Sequence, residues 1–379
     1  MKIYNLSAGS KTVLSVISLL SLMAFLAVEY GKEDVKLKWY DQKLEASRLA
    51  DQATKYLKEF RMRKGVFVDI VNDPNETALI GQDLTPITTD RGYIEAKLTA
   101  TNPNFAAVVI DMLKEAGLEK NDVIAIAFTG SLPGFNIAVH SAVQTLKLKP
   151  IIITSVGASN WGANDPDYTW LDMESKLYKA GILKNKSVAA SIGGGLDRGR
   201  GLSPEGRQLI ADAIQRNNVE FINEEHLEAS IQKRIDIYNY YRQKKKIKAF
   251  INVGGGISSI GSVENGKYIP TGLSTSLPMK NYPVRGVMIY MAEKNIPVIH
   301  LLNVNNLAQS YGLPINPIPL PLAGEGEIFI QKRYSVWLTI GVTIFLVLAI
   351  AFVFFMERKR HQLGTEQVVV HRGDVIPEL

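Results

Sequence analysis

Two uninterrupted apolar runs bracket the chain, VLSVISLLSLMAFLAV at 13–28 and VWLTIGVTIFLVLAIAFVFFM at 336–356. The second is long enough for a membrane-spanning helix, which needs roughly 20 apolar residues, and the first reaches that length with its flanking residues. Between them the pattern changes twice. Over 32–61, Val35, Trp39, Leu49, Ala53, Tyr56, Leu57 and Phe60 recur at helical spacing among many charges, which predicts a helical stalk. VFVDIV at 66–71 predicts a strand, and the turn-rich residues after it lead into a more regular pattern. From residue 102, apolar runs alternate with amphipathic stretches at the interval of βαβ units: VIAIAFT, IIITSV, VAASI, AFINV and VIHLL. Near-continuous apolar strands imply burial on both faces. The expected fold is therefore α/β, a doubly wound, mostly parallel, Rossmann-like sheet flanked by two transmembrane helices.

Asn102-Pro103, Asp165-Pro166 and Ser203-Pro204 read as helix starts, a capping side chain followed by proline at the first helical position. The chain divides into an N-terminus (1–11), a membrane anchor (12–30), the stalk (31–64) and a strand- and turn-rich lead-in (65–101). The α/β domain (102–312), a proline-rich tether (313–333), a second membrane helix (334–356) and a basic tail (357–379) follow. Lys2, Lys11, Arg358, Lys359 and Arg360 place both termini in the cytoplasm and the domain outside. Lys32, Lys36, Lys38, Lys332 and Arg333 flank the opposite faces, accompanied by Glu29, Glu33, Asp34, Glu325 and Glu327. Cleavage of the first run as a signal peptide is the alternative, but no small-x-small site follows it.

Composition narrows the chemistry. With 46% hydrophobic residues in 379, a large core is available, and 43 basic against 37 acidic residues give +6, without the one-signed stripe of a nucleic-acid binder. The absence of cysteine excludes disulfides, thiolate metal sites and cysteine nucleophiles. Anionic small molecules, polymers and lipid head groups fit this balance.

Ligands bind a parallel sheet outside the carboxyl ends of its strands. Four such ends here are rich in glycine: TGSLPGFN (129–136), SVGASNWGAND (155–165), SIGGGLDRGRG (191–201) and NVGGGISSIGS (252–262). Bare backbone N–H groups favour an anion, and arginine forks add bidentate contacts. The expected ligand-binding set is Gly130, Ser131, Gly157, Gly193, Gly194, Gly195, Asp197, Arg198, Arg200, Gly254, Gly255 and Gly256. Tight strand-to-helix turns are the competing reason for the same glycines. Gly256 and Gly261 have the P-loop spacing, but Ser262 and Val263 stand where the phosphate-gripping lysine and its hydroxyl neighbour belong, and no cofactor is assigned.

For nucleophilic chemistry the candidates are Ser131, at a strand end, and His140, about two turns along the following helix. TGSLPG is not a nucleophile elbow, and a hydrogen-bonded surface histidine is the alternative reading of His140. The segment WGANDPDYTWLDMES (161–175) offers Asp165, Asp167, Asp172 and Glu174 beside three aromatic rings. It reads as a helix start capped by Asp165, and no metal ligand is assigned. The KKKIK run at 244–248 complements the end of a helix that begins near Glu224 and Glu225.

With anchor, glycine-edged domain and second anchor in sequence, the chain resembles the poly-γ-glutamate system protein family. The stretches carrying the resemblance are TGSLPGFNIAVHSA, TSVGASNWGANDPDYTWLDME and ASIGGGLDRGRGLSPEGR, with the two flanking spans. The resemblance implies a two-pass bacterial membrane protein, an accessory of poly-γ-glutamate capsule synthesis or export that handles the polymer or organises its synthase subunits. It supplies no catalytic residues. A membrane-tethered hydrolase or transferase acting on the polymer or on cell-surface amides is the rival reading, so whether the protein is an enzyme stays open.

Overall fold

The apolar strands beyond residue 122 assemble into one seven-stranded sheet. In the computed structural model the described residues are 10–372, with side chains described to 359. Most of the expected N-terminal segment and the end of the tail lie outside them. The chain forms two units, one comprising the residues through Lys36 together with those from Ile330 onward, the other Leu37–Phe329.

The strands of the larger unit's main sheet are β1 (Val123–Thr129), β2 (Lys149–Ser155), β3 (Ala189–Ser191), β4 (Glu220–Ile222), β5 (Ile247–Val253), β6 (Gly272–Ser274) and β7 (Val298–Leu301). Their spatial order is β4-β3-β2-β1-β5-β7-β6, parallel throughout except for β6, which runs antiparallel to β7. Every residue of β1 is buried, as expected of a central parallel strand between two helical layers. Ala125, Ala127, Ile151, Ile153 and Phe250 share a core with Ile231 and Ile235 of the helix Leu227–Tyr241 and Val287 and Met291 of the helix Val287–Glu293. On the alternate side of β1, Phe128 meets His140 and Trp170 at ring centroids of 5.2 and 5.9 Å, from the helices Pro133–Thr145 and Trp170–Lys179. The structure is thus a mixed α/β fold with helices on both faces of a mostly parallel sheet.

Several expectations are corrected. The supposed stalk is the helix Tyr40–Arg63, packed on the helices Phe105–Glu115 and Pro133–Thr145 as part of the domain. Its buried stripe of Ala46, Ala50, Ala53 and Leu57 brings the backbones close, and buried Lys43 pairs with Asp111 at 2.7 Å. VFVDIV is irregular and not a strand; it finds no partner edge and leaves Phe67 88% and Val71 84% exposed. The first part of the proline-rich segment is no free tether. Asn75 Nδ2 donates to the Pro317 carbonyl (2.8 Å), Asn104 Nδ2 to that of Leu322 (2.9 Å), and Gly324 N to Asn104 Oδ1 (3.0 Å).

In the smaller unit, Lys32–Lys36 pairs antiparallel with Ile330–Tyr334, Lys32 opposite Tyr334 and Lys36 opposite Ile330. Helices Lys11–Tyr30 and Val336–Lys359 are long and apolar enough to cross a membrane. The second continues as helix to Arg372, into the expected tail.

Candidate functional site

The carboxyl ends of β1, β2 and β5 open into a cleft of about 330 Å³. Of the residues singled out from sequence, Ser131, Gly157, Gly194, Gly195, Gly254, Gly255 and Gly256 line it. Gly254 sits at φ +87°, and a Cβ there would stand 2.3 Å from Thr129 Oγ1, so the turn after β5 requires glycine. Gly255 differs: a Cβ on it would meet only Leu302 Cδ1, at 3.8 Å. Its bareness leaves room in the cleft. Among the described residues, no backbone acceptor pairs with the N–H of Gly255 or Gly256.

Gly130, Gly193, Asp197, Arg198 and Arg200 are not among the lining residues. Gly130 packs against the Val156 carbonyl, 2.4 Å from where a Cβ would stand, and its own carbonyl accepts from Ala163 N at 2.8 Å. Gly193 closes its own loop through the bond from Gly199 N, 2.7 Å. Arg198 is exposed and donates from Nη1 to the Glu225 carbonyl at 3.1 Å, and Arg200 is exposed. Asp197 is fully buried. Its carboxylate accepts from Ser191 Oγ (2.7 Å), Ser230 Oγ (2.6 Å), Ser155 Oγ (3.1 Å) and Arg234 Nη2 (2.9 Å). Leu196 and Asp197 both adopt positive φ, 55° and 60°, so this network anchors a strained loop whose glycines form one wall of the cleft.

The charged groups that do line the cleft are Asp90, Arg91 and Lys97, all from the lead-in. Lys97 lies on the short helix Ile94–Ala100, in step with Ile94, Leu98 and Thr101, and its side chain turns inward with that stripe. Its Nζ is 2.6 Å from the Ser131 carbonyl oxygen and 2.7 Å from Ser159 Oγ. Burial pushes the amine down to about 7 from its ordinary 10.5, so near neutrality a large share of it carries no charge. Ser159 belongs to the two-residue strand Ala158–Ser159, paired in parallel with Thr88–Asp90, and its N–H donates to Ser131 Oγ at 3.1 Å. Gly92 makes this arrangement possible. A Cβ on it would fall 2.9 Å from Ser159 Oγ and 3.2 Å from Lys97 Cε.

Sequence reasoning missed Lys97, Ser159, Arg91 and Arg234. The available signal for Lys97 and Arg234 was a cation inside an apolar helical stripe, Ile94-Lys97-Leu98 in one case and Ile231-Arg234-Ile235-Tyr238 in the other. His140 is also corrected. It is buried in the core and not at the surface, with Nε2 3.0 Å from Glu174 Oε1, and it does not line the cleft.

The acidic aromatic segment serves structure. Its helix starts at Trp170, later than expected, with Thr169 and Asp172 forming a reciprocal capping box. Asp165 instead pairs with Arg61 at 3.1 Å, Asp172 binds Arg216 Nε at 2.8 Å, and Glu174 holds His140 and Ser187. Of the other expected starts, Ser203 caps its helix by accepting from Gly206 N, whereas Asn102 accepts from Asn104 N in a turn before the helix Phe105–Glu115.

Comparison with protein-family models and with curated proteins finds no match to this chain.

Proposed function

We propose that this is a two-pass membrane protein whose α/β domain binds the carboxylates of an anionic chain, poly-γ-glutamate or a close relative, as an accessory of its synthesis or export. The observation that carries the reading is one cleft lined by Arg91 and by the backbone of Gly194–Gly195 and Gly254–Gly256. Backbone donors without Cβ atoms admit a carboxylate closely, and Arg91 supplies charge that a neutral loop lacks. The two apolar helices favour a location at a membrane, and the basic residues at Lys11, Arg358 and Lys359 favour an extracytoplasmic domain. The stretches that resemble those of the poly-γ-glutamate system proteins are what favour that polymer, and its synthase subunits as partners, in this proposal.

In the same reading the sheet is Rossmann-like and doubly wound. From β1 the chain moves outward through β2, β3 and β4, then returns to β5 on the other flank of β1. The reversal falls between β1 and β5, the switch point where such sheets receive ligands, and the cleft opens at their carboxyl ends. This turns the cationic role from Arg198 and Arg200 to Arg91.

The test is binding of oligo-γ-glutamate to the full-length protein in detergent. A charge-assisted hydrogen bond is worth about 1.5–3 kcal/mol, so Arg91→Ala weakens binding by about tenfold or more. Gly255→Leu, which fills the open side of the cleft, abolishes it. Unchanged binding in both variants would place the ligand elsewhere.

A further inference from the structure

Lys97 and Ser159 have a second property that carboxylate binding does not require. An amine meant only to attract anions gains nothing from being sealed off from water, where its positive charge is disfavoured. Lys97 is nevertheless 6% exposed, and the two oxygens it reaches differ in kind. The Ser131 carbonyl can only accept, so it takes one N–H. The Ser159 hydroxyl can donate, and a neutral amine has one lone pair to receive that proton. With one N–H held by the carbonyl, the neutral amine at 2.7 Å can present its lone pair to the hydroxyl, the arrangement that activates a serine.

We propose that Ser159 is an acyl-accepting nucleophile, with Lys97 as its general base and the Ser131 carbonyl as the group that positions the base. The substrate class rests on the reading above: a γ-amide joining carboxylate-bearing residues, with Arg91 holding a carboxylate beside the scissile bond. The dyad itself rests on the contacts of Lys97 with Ser131 and Ser159 and does not depend on that reading. In the first step Lys97 Nζ takes the Ser159 hydroxyl proton as Oγ adds to the amide carbonyl carbon. The C–N bond then breaks, and the Lys97 ammonium returns that proton to the leaving amine, leaving an acyl ester on Ser159. In the second step a water gives a proton to Lys97 and adds to the ester carbon. The C–Oγ bond breaks and Ser159 recovers its proton, so the sum is one amide and one water converted to one acid and one amine. An amine in place of that water gives transfer by the same steps.

The charged groups around Lys97 are few. Asp90 and Arg91 line the cleft, and Glu95 on its own helix is exposed. Of the helices packed against it, Pro133–Thr145 has His140 as its one ionisable side chain, held by Glu174, and Val304–Ser310 has none.

The experiment needs no substrate. The full-length protein in detergent is treated with a fluorophosphonate, and the modified residue is mapped by mass spectrometry on the unmutated chain. The expected adduct is on Ser159, forming faster as pH rises through about 7, where Lys97 loses its proton. Lys97→Arg and Lys97→Met, both checked for folding by circular dichroism, slow it by about 10²-fold or more. Adduct on another residue or on none, or unchanged labelling in both folded variants, overturns the dyad. Oligo-γ-glutamate binding is measured on the same samples. Labelling of Ser159 without binding refutes the polymer reading alone, and binding without labelling refutes the dyad alone.

Discussion

Arg234 and Asp197 form an ion pair at 2.9 Å, and their side chains are 2% and 0% exposed. The guanidinium reaches from the helix Leu227–Tyr241 to the loop after β3, and its Nη2 also contacts Ser155 Oγ at 3.0 Å and Ser191 Oγ at 2.6 Å. Two strand ends and one helix are thereby tied beneath the glycine wall of the cleft. The pair fixes the loop, and neither side chain lines the cleft.

Removing one partner of such a pair leaves the other charge buried and uncompensated, which costs about 3–5 kcal/mol. Asp197→Ala and Arg234→Met are each expected to lower the thermal midpoint of the full-length protein sharply. The double variant, which leaves no stranded charge, is expected to lose less than the sum. A strictly additive double variant would mean that the two groups do not depend on each other.

The two glycines after β5 should behave oppositely. Gly254→Ala forces a side chain into positive φ and against Thr129 Oγ1, a cost of about 2 kcal/mol or more. Gly255→Ala meets open space and should leave stability within about 0.5 kcal/mol of the unmutated protein. Equal midpoints for the two variants would contradict this division between a glycine needed by the turn and a glycine bordering the cleft.

Within the acidic segment the stabilising carboxylate is Asp172. It accepts from Thr169 N at 2.8 Å, from Arg216 Nε at 2.8 Å and from Asn217 Nδ2 at 2.7 Å. Asp172→Ala removes a capping box and a charged contact together, for about 1–3 kcal/mol. Asp165→Ala breaks a partly exposed pair with Arg61 and should cost under about 1 kcal/mol. The reverse order in urea denaturation would restore Asp165 as the helix cap.

The central strands were legible because a parallel strand buried on both faces needs an apolar run, and β1, β2, β5 and β7 have one. The short edge strands β4 and β6, three residues each, are set by pairing with a formed neighbour and leave almost no local pattern. VFVDIV had the pattern but found no neighbour. The helix Tyr40–Arg63 read as a stalk because its packing stripe is mostly alanine, which a hydropathy pattern underweights. At the cleft, the glycines were visible as punctuation. Their cause was not, since a glycine demanded by positive φ and one left bare at a cavity read alike. Lys97 and Arg234 stayed hidden because a cation within an apolar stripe is ordinarily assigned to solvent, and only the fold shows which oxygens meet it.

Lys97 also makes stability depend on pH in a direction opposite to that of a paired lysine. Its folded value is pushed down to about 7, whereas the unfolded chain has the ordinary 10.5. Between these limits the unfolded state carries a proton that the folded state lacks, so each rise of one pH unit favours folding by about 1.4 kcal/mol. Below the folded value both states are protonated and the burial penalty is constant; above the unfolded value both are neutral and it vanishes. Other groups titrate in the same range, so the informative quantity is the difference between the unmutated protein and Lys97→Met. That difference should move in favour of the unmutated protein by about 1.4 kcal/mol per unit between pH 7.5 and 9, and stay flat between pH 5 and 6. Chemical denaturation of both proteins across these pH values measures it. A difference independent of pH from 7.5 to 9 would show that Lys97 keeps its proton when folded, and the cleft would then hold a fixed cation and no base.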